Sequence, residues 1–426
     1  MQTLVYFISH ASVLIRYGDE VLITDPWYFH HAFSTWLPNP LPAINPHTIV
    51  AMAKAGKASF VMSHVHADHS DPEFIKQIPP ETPIFIPEYG DEHFTGFLKW
   101  LGHKNHREIP DAGLTHGSFK LNRMKSHITN FDGVVTIETP DAFIFHGNDA
   151  WMLSEENHQK LEALKPKNKP SLFMGQGGAA SGHPMRYMTI PESERLAALE
   201  QKNIRMLKSI AESALRHNFD AALAYACLSR IVVDNVDYSN GAKKPDGNYA
   251  NEVTGENIFI NLSPGDLYIP AEKRVINILS SLNIPQNCFN ETVERENFPA
   301  VPLKEWQQKY QARMGEYMQA LQRYIESHSK TSEDKEELGI TFKLIVLDED
   351  ETELEAHEIN MFGGFTGRTK YCYAKAKYLA QVLDKKTPFE DLYVGYLARW
   401  SREPAERYNR RIIDLLAEYG YVHMTS

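Results

Sequence analysis

Phe60-Val61-Met62-Ser63-His64-Val65-His66-Ala67-Asp68-His69 is the stretch around which the chain is organised. An apolar run that reads as a buried strand stops, and three imidazoles and one carboxylate follow at once. His64 and His66 stand two apart, so in an extended loop they project to one side. Asp68 and His69 fall where a turn into a helix carries them round to a second metal position. Neutral imidazole with carboxylate suits zinc, iron or manganese. Histidine is somewhat enriched, at 19 of 426 residues, but enrichment alone does not place four donors in this order behind a strand.

Upstream, residues 4–8, 13–17 and 21–24 read as short strands, the last stopped by Asp25-Pro26. A carboxylate at a strand end can hydrogen-bond a ligand imidazole and fix its tautomer. Asp25 is therefore expected to act in catalysis together with Asp68. His10, in the loop between the first two strands, is expected to face substrate. Residues 27–42 are aromatic and proline-rich with no period, and are expected to wall or cover the site. His30 and His31 read as part of that cover rather than as ligands.

Downstream, a strand over 121–127 delivers His127 to a loop. Another over 143–145 ends in His146-Gly147-Asn148-Asp149, placing a carboxylate at the sheet edge. The set then reads as His64, His66 and His127 on one metal, with Asp68, His69 and Asp149 on the other. His146 competes as a ligand but is expected to pack. Residues 171–184 are a strand feeding a Gly/Ala/Ser loop, in which backbone and ligand can approach closely. His183 and Arg186 are expected to contact substrate there, and His183 is a further candidate metal ligand. The same stretch also reads as a flexible strand-to-helix turn.

Residues 193–218 keep the helical period and 221–227 read as a buried strand. Residues 238–255 read as an exposed loop and 258–262 as a strand. The organisation expected is a catalytic unit over 1–270, a helical connection over 271–328 and a small α+β unit over 340–426. In the last, 340–347 reads as a strand, 348–355 as a solvated acidic turn, and 369–383, 388–400 and 405–419 as helices. No ligand cluster is legible in it.

Net charge is −11, which argues against a generic nucleic-acid or anionic-membrane surface. No apolar run reaches the ~18 residues of a spanning helix. The N-terminus shows no basic segment ahead of an apolar one. Cys227, Cys288 and Cys372 lie far apart and read as buried small hydrophobes in a reducing compartment, so a cytoplasmic location is expected.

His64-x-His66-x-Asp68-His69 after a strand, with His127 and Asp149, resembles the metallo-β-lactamase fold superfamily. That resemblance implies a four-layer αββα sandwich, an α/β fold, over roughly residues 1–270. A narrower resemblance is to the CMP-N-acetylneuraminate hydroxylase family. It is carried by Ser9-His10-Ala11-Ser12, Thr24-Asp25-Pro26-Trp27, Ala32-Phe33, Asn148-Asp149 and Gly178-Ala179-Ala180-Ser181-Gly182-His183-Pro184-Met185. In the tail it is carried by Asp391-Leu392-Tyr393-Val394-Gly395-Tyr396, Ser401-Arg402-Glu403-Pro404 and Tyr408-Asn409. Those hydroxylases carry a Rieske iron–sulfur domain, and no Cys-x-His…Cys-x-x-His pattern occurs in this sequence, so electrons are expected from an external donor. Hydrolytic members supply a last histidine near Ala224-Tyr225-Ala226-Cys227, where this sequence has none. The resemblance thus implies two divalent metal ions, iron favoured and zinc or manganese open. It implies an oxygenase or hydroxylase acting on a small polar or acidic molecule. The alternative is a dinuclear hydrolase of a lactone, ester or phosphate ester; a metal-binding scaffold is a third reading.

Overall fold

Strand burial sets the architecture. The structure, a computed structural model, describes residues 1–90, 93–126, 132–179, 181–234, 236–238, 243, 245–277, 298–329, 338–363, 367–405 and 410–425. An eight-stranded sheet runs in the order Arg274–Ile276, Leu267–Ile269, Thr3–Ser9, Ser12–Tyr17, Glu20–Thr24, Ala58–Val61, Ile84–Pro87, His106–Ile109. It is antiparallel as far as Glu20–Thr24 and parallel from there on. A six-stranded sheet runs Ala221–Tyr225, Ser171–Gln176, Phe143–His146, Gly133–Glu138, Phe119–Lys125, Leu114–His116. Its first three strands are parallel.

Alternation along each strand builds four layers. Leu22, Val61 and Phe85 point into one buried cluster with Ile144, Leu172 and Met174 of the other sheet. Their neighbours Val21, Ile23, Phe60, Ile84 and Ile86 point the opposite way, onto Ile49 and Val50 of helix Pro46–Lys54 and Leu98 of helix His93–Trp100. On the far side Phe143, Phe145 and Phe173 pack against Leu207, Ile210 and Ala214 of helix Glu192–Arg216. Strands covered on both faces are apolar throughout, as parallel sheets require. This is the expected αββα sandwich, and strands Leu267–Ile269 and Arg274–Ile276 carry its first sheet past residue 270.

The C-terminal part is a four-stranded sheet, Glu353–Asn360, Thr341–Leu347, Thr369–Lys375, Ala398–Glu403, with helices Gln311–His328, Ala376–Leu383 and Arg410–Thr425. Several sequence expectations fail here. Thr369–Lys375 is a strand, not the start of a helix: Lys370, Cys372 and Ala374 are buried and their neighbours half-buried, a period of two. Only the short turn Phe389–Leu392 of the expected 388–400 helix is helical, and Ala398–Glu403 is an edge strand. The acidic run continues into strand Glu353–Asn360. Within the expected 238–255 loop lies helix Gly247–Thr254, capped by Asp246 accepting from Tyr249 N–H at 2.8 Å and ended by Gly255 at φ 75°. The expected strand over 258–262 is only a bridge from Phe259 to Ala222.

One apolar cluster joins Trp27, Phe33, Trp36, Tyr187 and Ile231 to the C-terminal sheet and helices. Gly395 sits where a Cβ would lie 2.2 Å from Phe33 O, so only glycine allows this approach. Among the described residues no helix is long and apolar enough to cross a membrane.

Candidate metal centre

Four strand ends converge on one edge of the sandwich. Glu20–Thr24 delivers Asp25, Ala58–Val61 the histidine stretch, Phe143–His146 Asn148 and Asp149, and Ala221–Tyr225 its own last residue. His69 and Ser70 N–H both donate to His66 O, at 2.9 and 2.8 Å, which turns Asp68 and His69 back toward His64. His10, Asp25, Asn148 and Ala226 all hold positive φ, between 37° and 53°. Non-glycine residues enter that region at a cost, and such positions gather at functional edges.

Among the described residues three groups of donors lie with their ligand atoms within 4.8 Å of one another: His64, His69 and Asp149; His64, His66 and Asp132; His10, Asp68 and His69. His69 Nε2 is 3.5 Å from Asp149 Oδ1 and 3.7 Å from Asp68 Oδ2. His64 Nε2 is 3.8 Å from Asp132 Oδ1, and His10 Nε2 is 3.2 Å from Asp68 Oδ2. His69 Nε2, Asp68 Oδ1 and Asp149 Oδ1 are buried without a hydrogen-bond partner among the described residues. Buried polar atoms are rarely left so, and a cation among them satisfies lone pairs of both kinds at once. The residues present therefore fit metal ions.

Asp25 sets the orientation of the ligands. Its carboxylate accepts from Ser63 N–H and Ser63 Oγ, each at 2.7 Å, from His69 Nδ1 at 2.8 Å and from His146 Nε2 at 3.0 Å. A proton on His69 Nδ1 leaves Nε2 as the free lone pair facing Asp68 and Asp149. Ser63 Oγ is also 2.9 Å from His64 Nδ1, so the same carboxylate orients a second ligand through one hydroxyl. Tyr225 Oη bridges His146 Nδ1 at 2.7 Å and Asn148 N–H at 2.8 Å, tying the strand end that carries Asp149 into the network. Burial pushes the Asp25 carboxyl up, but His146 and His69 outweigh it and hold Asp25 well below the usual range. Burial pushes His69 down, and Asp68, Asp149 and Asp25 override it, so His69 is pushed well up. His64 is held low by burial, then by His69 and His66.

The structure brings His64, His66, Asp68, His69 and Asp149 together, with Asp25 behind them. His127 lies outside the described residues. His10, expected at substrate, is 1% exposed and stands among the donors beside Asp68. His183 belongs to none of the three groups. Its ring packs on Tyr187 at 4.8 Å. Arg186 donates to Ala398 O at 3.3 Å and to Tyr238 Oη, lining an open cavity of about 190 Å³ with Asp234, Tyr378 and Arg399.

Three residues were missed. Asp132 follows soon after His127 and carried no spacing signal. Tyr225 occupies the stretch where a histidine was sought. Glu390, in turn Phe389–Leu392, places Oε2 3.2 Å from His66 Nε2. Burial lowers His66, and the Glu390 carboxylate overrides it, pushing His66 up to about 9. Phe33 and Tyr421 cover the same imidazole at ring distances of 5.3 and 6.4 Å. The aromatic loop thus does wall the cluster, and Asp71 anchors it by accepting from Tyr28 and Phe29 N–H at 2.8 and 2.6 Å.

No family model matches the chain. It is 31% identical over 99 residues to a cytidine monophosphate-N-acetylneuraminic acid hydroxylase of Asterias rubens, a match over 22% of this chain and 14% of that protein's length. Among solved structures it is similar to a possible metal-dependent hydrolase of Veillonella parvula, at 15% identity and TM-score 0.46, covering 63% of this chain and 100% of that one. It is also similar to CmlA, a diiron β-hydroxylase of Streptomyces venezuelae, at 14% identity and TM-score 0.34, covering 53% of this chain and 45% of that one.

Proposed function

We propose, for a chain of metallo-β-lactamase fold that gathers the donors of a metal-dependent enzyme at its strand ends, that the reaction is an oxidation by O₂. The substrate is a small polar or acidic molecule, and electrons come from an external donor. One observation supports this above others: each of the three donor groups is two imidazoles and one carboxylate. That set, with open positions, is the one non-haem iron oxygenases use. Tyr225, spent on His146 and Asn148, adds no nitrogen where hydrolytic relatives place one.

Held there, a pair of iron ions would supply the activation of O₂. The chain's own residues do the rest. Asp25 and Ser63 hold the His64 and His69 rings in one tautomer. Asp68 and Asp149 would supply the carboxylate oxygens that hold the ions. Phe33, Tyr421 and Glu390 close the cluster over His66 and keep bulk water away from it. The second reading is hydrolysis at zinc or manganese, since two imidazoles and a carboxylate with an open position also make a catalytic zinc site.

Anaerobic purification, metal analysis and O₂ uptake after reduction and removal of excess reductant separate the two. Two irons per chain and O₂ consumption are expected. Two zincs with no O₂ consumed by the reduced protein refute the oxygenase and leave the hydrolase. His64→Ala or Asp149→Ala should remove at least one metal equivalent; retention of two full equivalents refutes the placement of the site.

A further inference from the structure

We infer that Glu390 of the C-terminal unit is the positioning residue of His66: its carboxylate holds the proton of His66 Nε2, which leaves Nδ1 as the atom offered to a metal ion. The inference rests on the metal centre proposed above and adds to it one ligand's tautomer and the group that sets it.

Two lone pairs face each other in the donor cluster. Ser63 Oγ donates to Asp25 Oδ2 at 2.7 Å, and a hydroxyl has one proton to give. Toward His64 Nδ1, 2.9 Å away, it can therefore only accept. The His64 proton thus sits on Nδ1, and Nε2 is the lone pair. His66 Nδ1 stands 2.8 Å from that Nε2, so either a proton or a cation lies between the two nitrogens. Glu390 decides which. It is only 6% exposed, and its Oε2 is 3.2 Å from His66 Nε2. No other described residue hydrogen-bonds that oxygen. A lone pair aimed at a buried carboxylate repels it, whereas an N–H compensates it. The proton of a neutral His66 therefore belongs on Nε2. Its Nδ1 then meets His64 Nε2 lone pair to lone pair, which a metal ion about 2.0–2.1 Å from each nitrogen relieves.

The chain holds Glu390 in this place from two sides. Ser34 Oγ donates to Asp391 Oδ2 at 2.5 Å, Thr35 Oγ1 to Gly395 O at 2.7 Å and Trp36 Nε1 to Val394 O at 3.0 Å. Three consecutive residues of the aromatic loop thus clamp the turn Phe389–Leu392 and the residues after it onto the sandwich. From the other side, Gly420 of helix Arg410–Thr425 lies where a Cβ would meet Phe389 N at 2.7 Å. Phe33 packs edge-on against the His66 ring at 5.3 Å and limits its rotation. Asp25 sets the tautomers of His64 and His69 from within the sandwich; Glu390 sets that of His66 from the C-terminal unit. A carboxylate behind a metal-bound imidazole also raises its basicity.

Histidine-selective ¹⁵N NMR of the zinc-loaded full-length protein, with zinc affinity from chelator competition, tests this. A zinc-bound imidazole ligated through Nδ1, with a slowly exchanging proton on Nε2, is expected. That signal should shift in Glu390→Gln and vanish by exchange in Glu390→Ala. Zinc affinity should fall roughly 10–100-fold in Glu390→Ala and less in Glu390→Gln, whose amide oxygen still accepts. Glu390→Gln, nearly isosteric, carries the test if Glu390→Ala does not fold. Ligation of every bound imidazole through Nε2, or an Nε2–H signal identical in Glu390→Gln, overturns the inference. Loss of a full zinc equivalent in Glu390→Gln also overturns it, by making Glu390 itself a ligand. The zinc form serves equally for oxidation and hydrolysis. A protein that takes up no zinc refutes the metal centre and this inference together; a loaded protein whose signal ignores Glu390 refutes this inference alone.

Discussion

Asp25 accepts hydrogen bonds from Ser63 N–H, Ser63 Oγ, His69 and His146, so its substitution should register at its neighbours. In Asp25→Asn an amide NH₂ would confront an imidazole N–H, and the His69 tautomer would no longer be enforced. Metal affinity is expected to fall roughly 10–100-fold with the fold retained, as for other carboxylates behind a metal-bound histidine. Chelator competition measures it, and unchanged affinity would show that the His69 orientation is fixed elsewhere. Tyr225 is the complementary case. Tyr225→Phe leaves Asn148 N–H and His146 Nδ1 buried without their partner. A loss of about 1–3 kcal/mol is expected in denaturant unfolding. A cost near zero would mean that water enters the network.

His158 of helix Glu155–Leu164 stacks on His217, the residue that ends helix Glu192–Arg216, with Nδ1 and Nε2 2.8 Å apart and ring planes 15° from parallel. Burial, then His158, pushes His217 down to about 4 from its ordinary 6.5. The unfolded chain binds this proton at higher pH than the folded one, so stability falls as pH drops from 6.5 toward 4. His183, also lowered to about 4, adds to the same window. Tm measured across that range should decline, and less steeply in His217→Gln; parallel slopes would refute the assignment to His217. Element by element, legibility followed burial. Strands Ala58–Val61, Phe143–His146 and Ser171–Gln176 are covered on both faces, so their apolar runs stand out in sequence. Thr369–Lys375 is covered on one face and carries Lys, Tyr and Cys, whose mixed character hides its period of two. The local ligands His64 to His69 were equally legible, because spacing along one loop fixes them. Glu390 was not, because it reaches His66 only through the docking of the C-terminal sheet, a relation no local pattern records.

That docking decides how the whole molecule behaves. Trp27, Phe33, Trp36, Tyr187, Ile231 and Val233 of the sandwich share one buried cluster with the C-terminal helices and sheet. Exposing six such side chains costs on the order of 10 kcal/mol, as much as a typical domain's entire stability. A fragment ending at residue 277 should therefore fail to unfold cooperatively and should aggregate, although it holds every strand of both large sheets. It would also lack Glu390 and Tyr421, leaving His66 open to solvent. The intact chain, by the same reasoning, should melt in one calorimetric transition rather than two, with metal raising that single Tm. Two resolved transitions in the metal-loaded protein, or a soluble 1–277 fragment that binds metal as tightly as the full chain, would show instead that the C-terminal unit is an appendage. One transition would mean that the metal centre and its cover are stabilised together, so that losing either loosens the other.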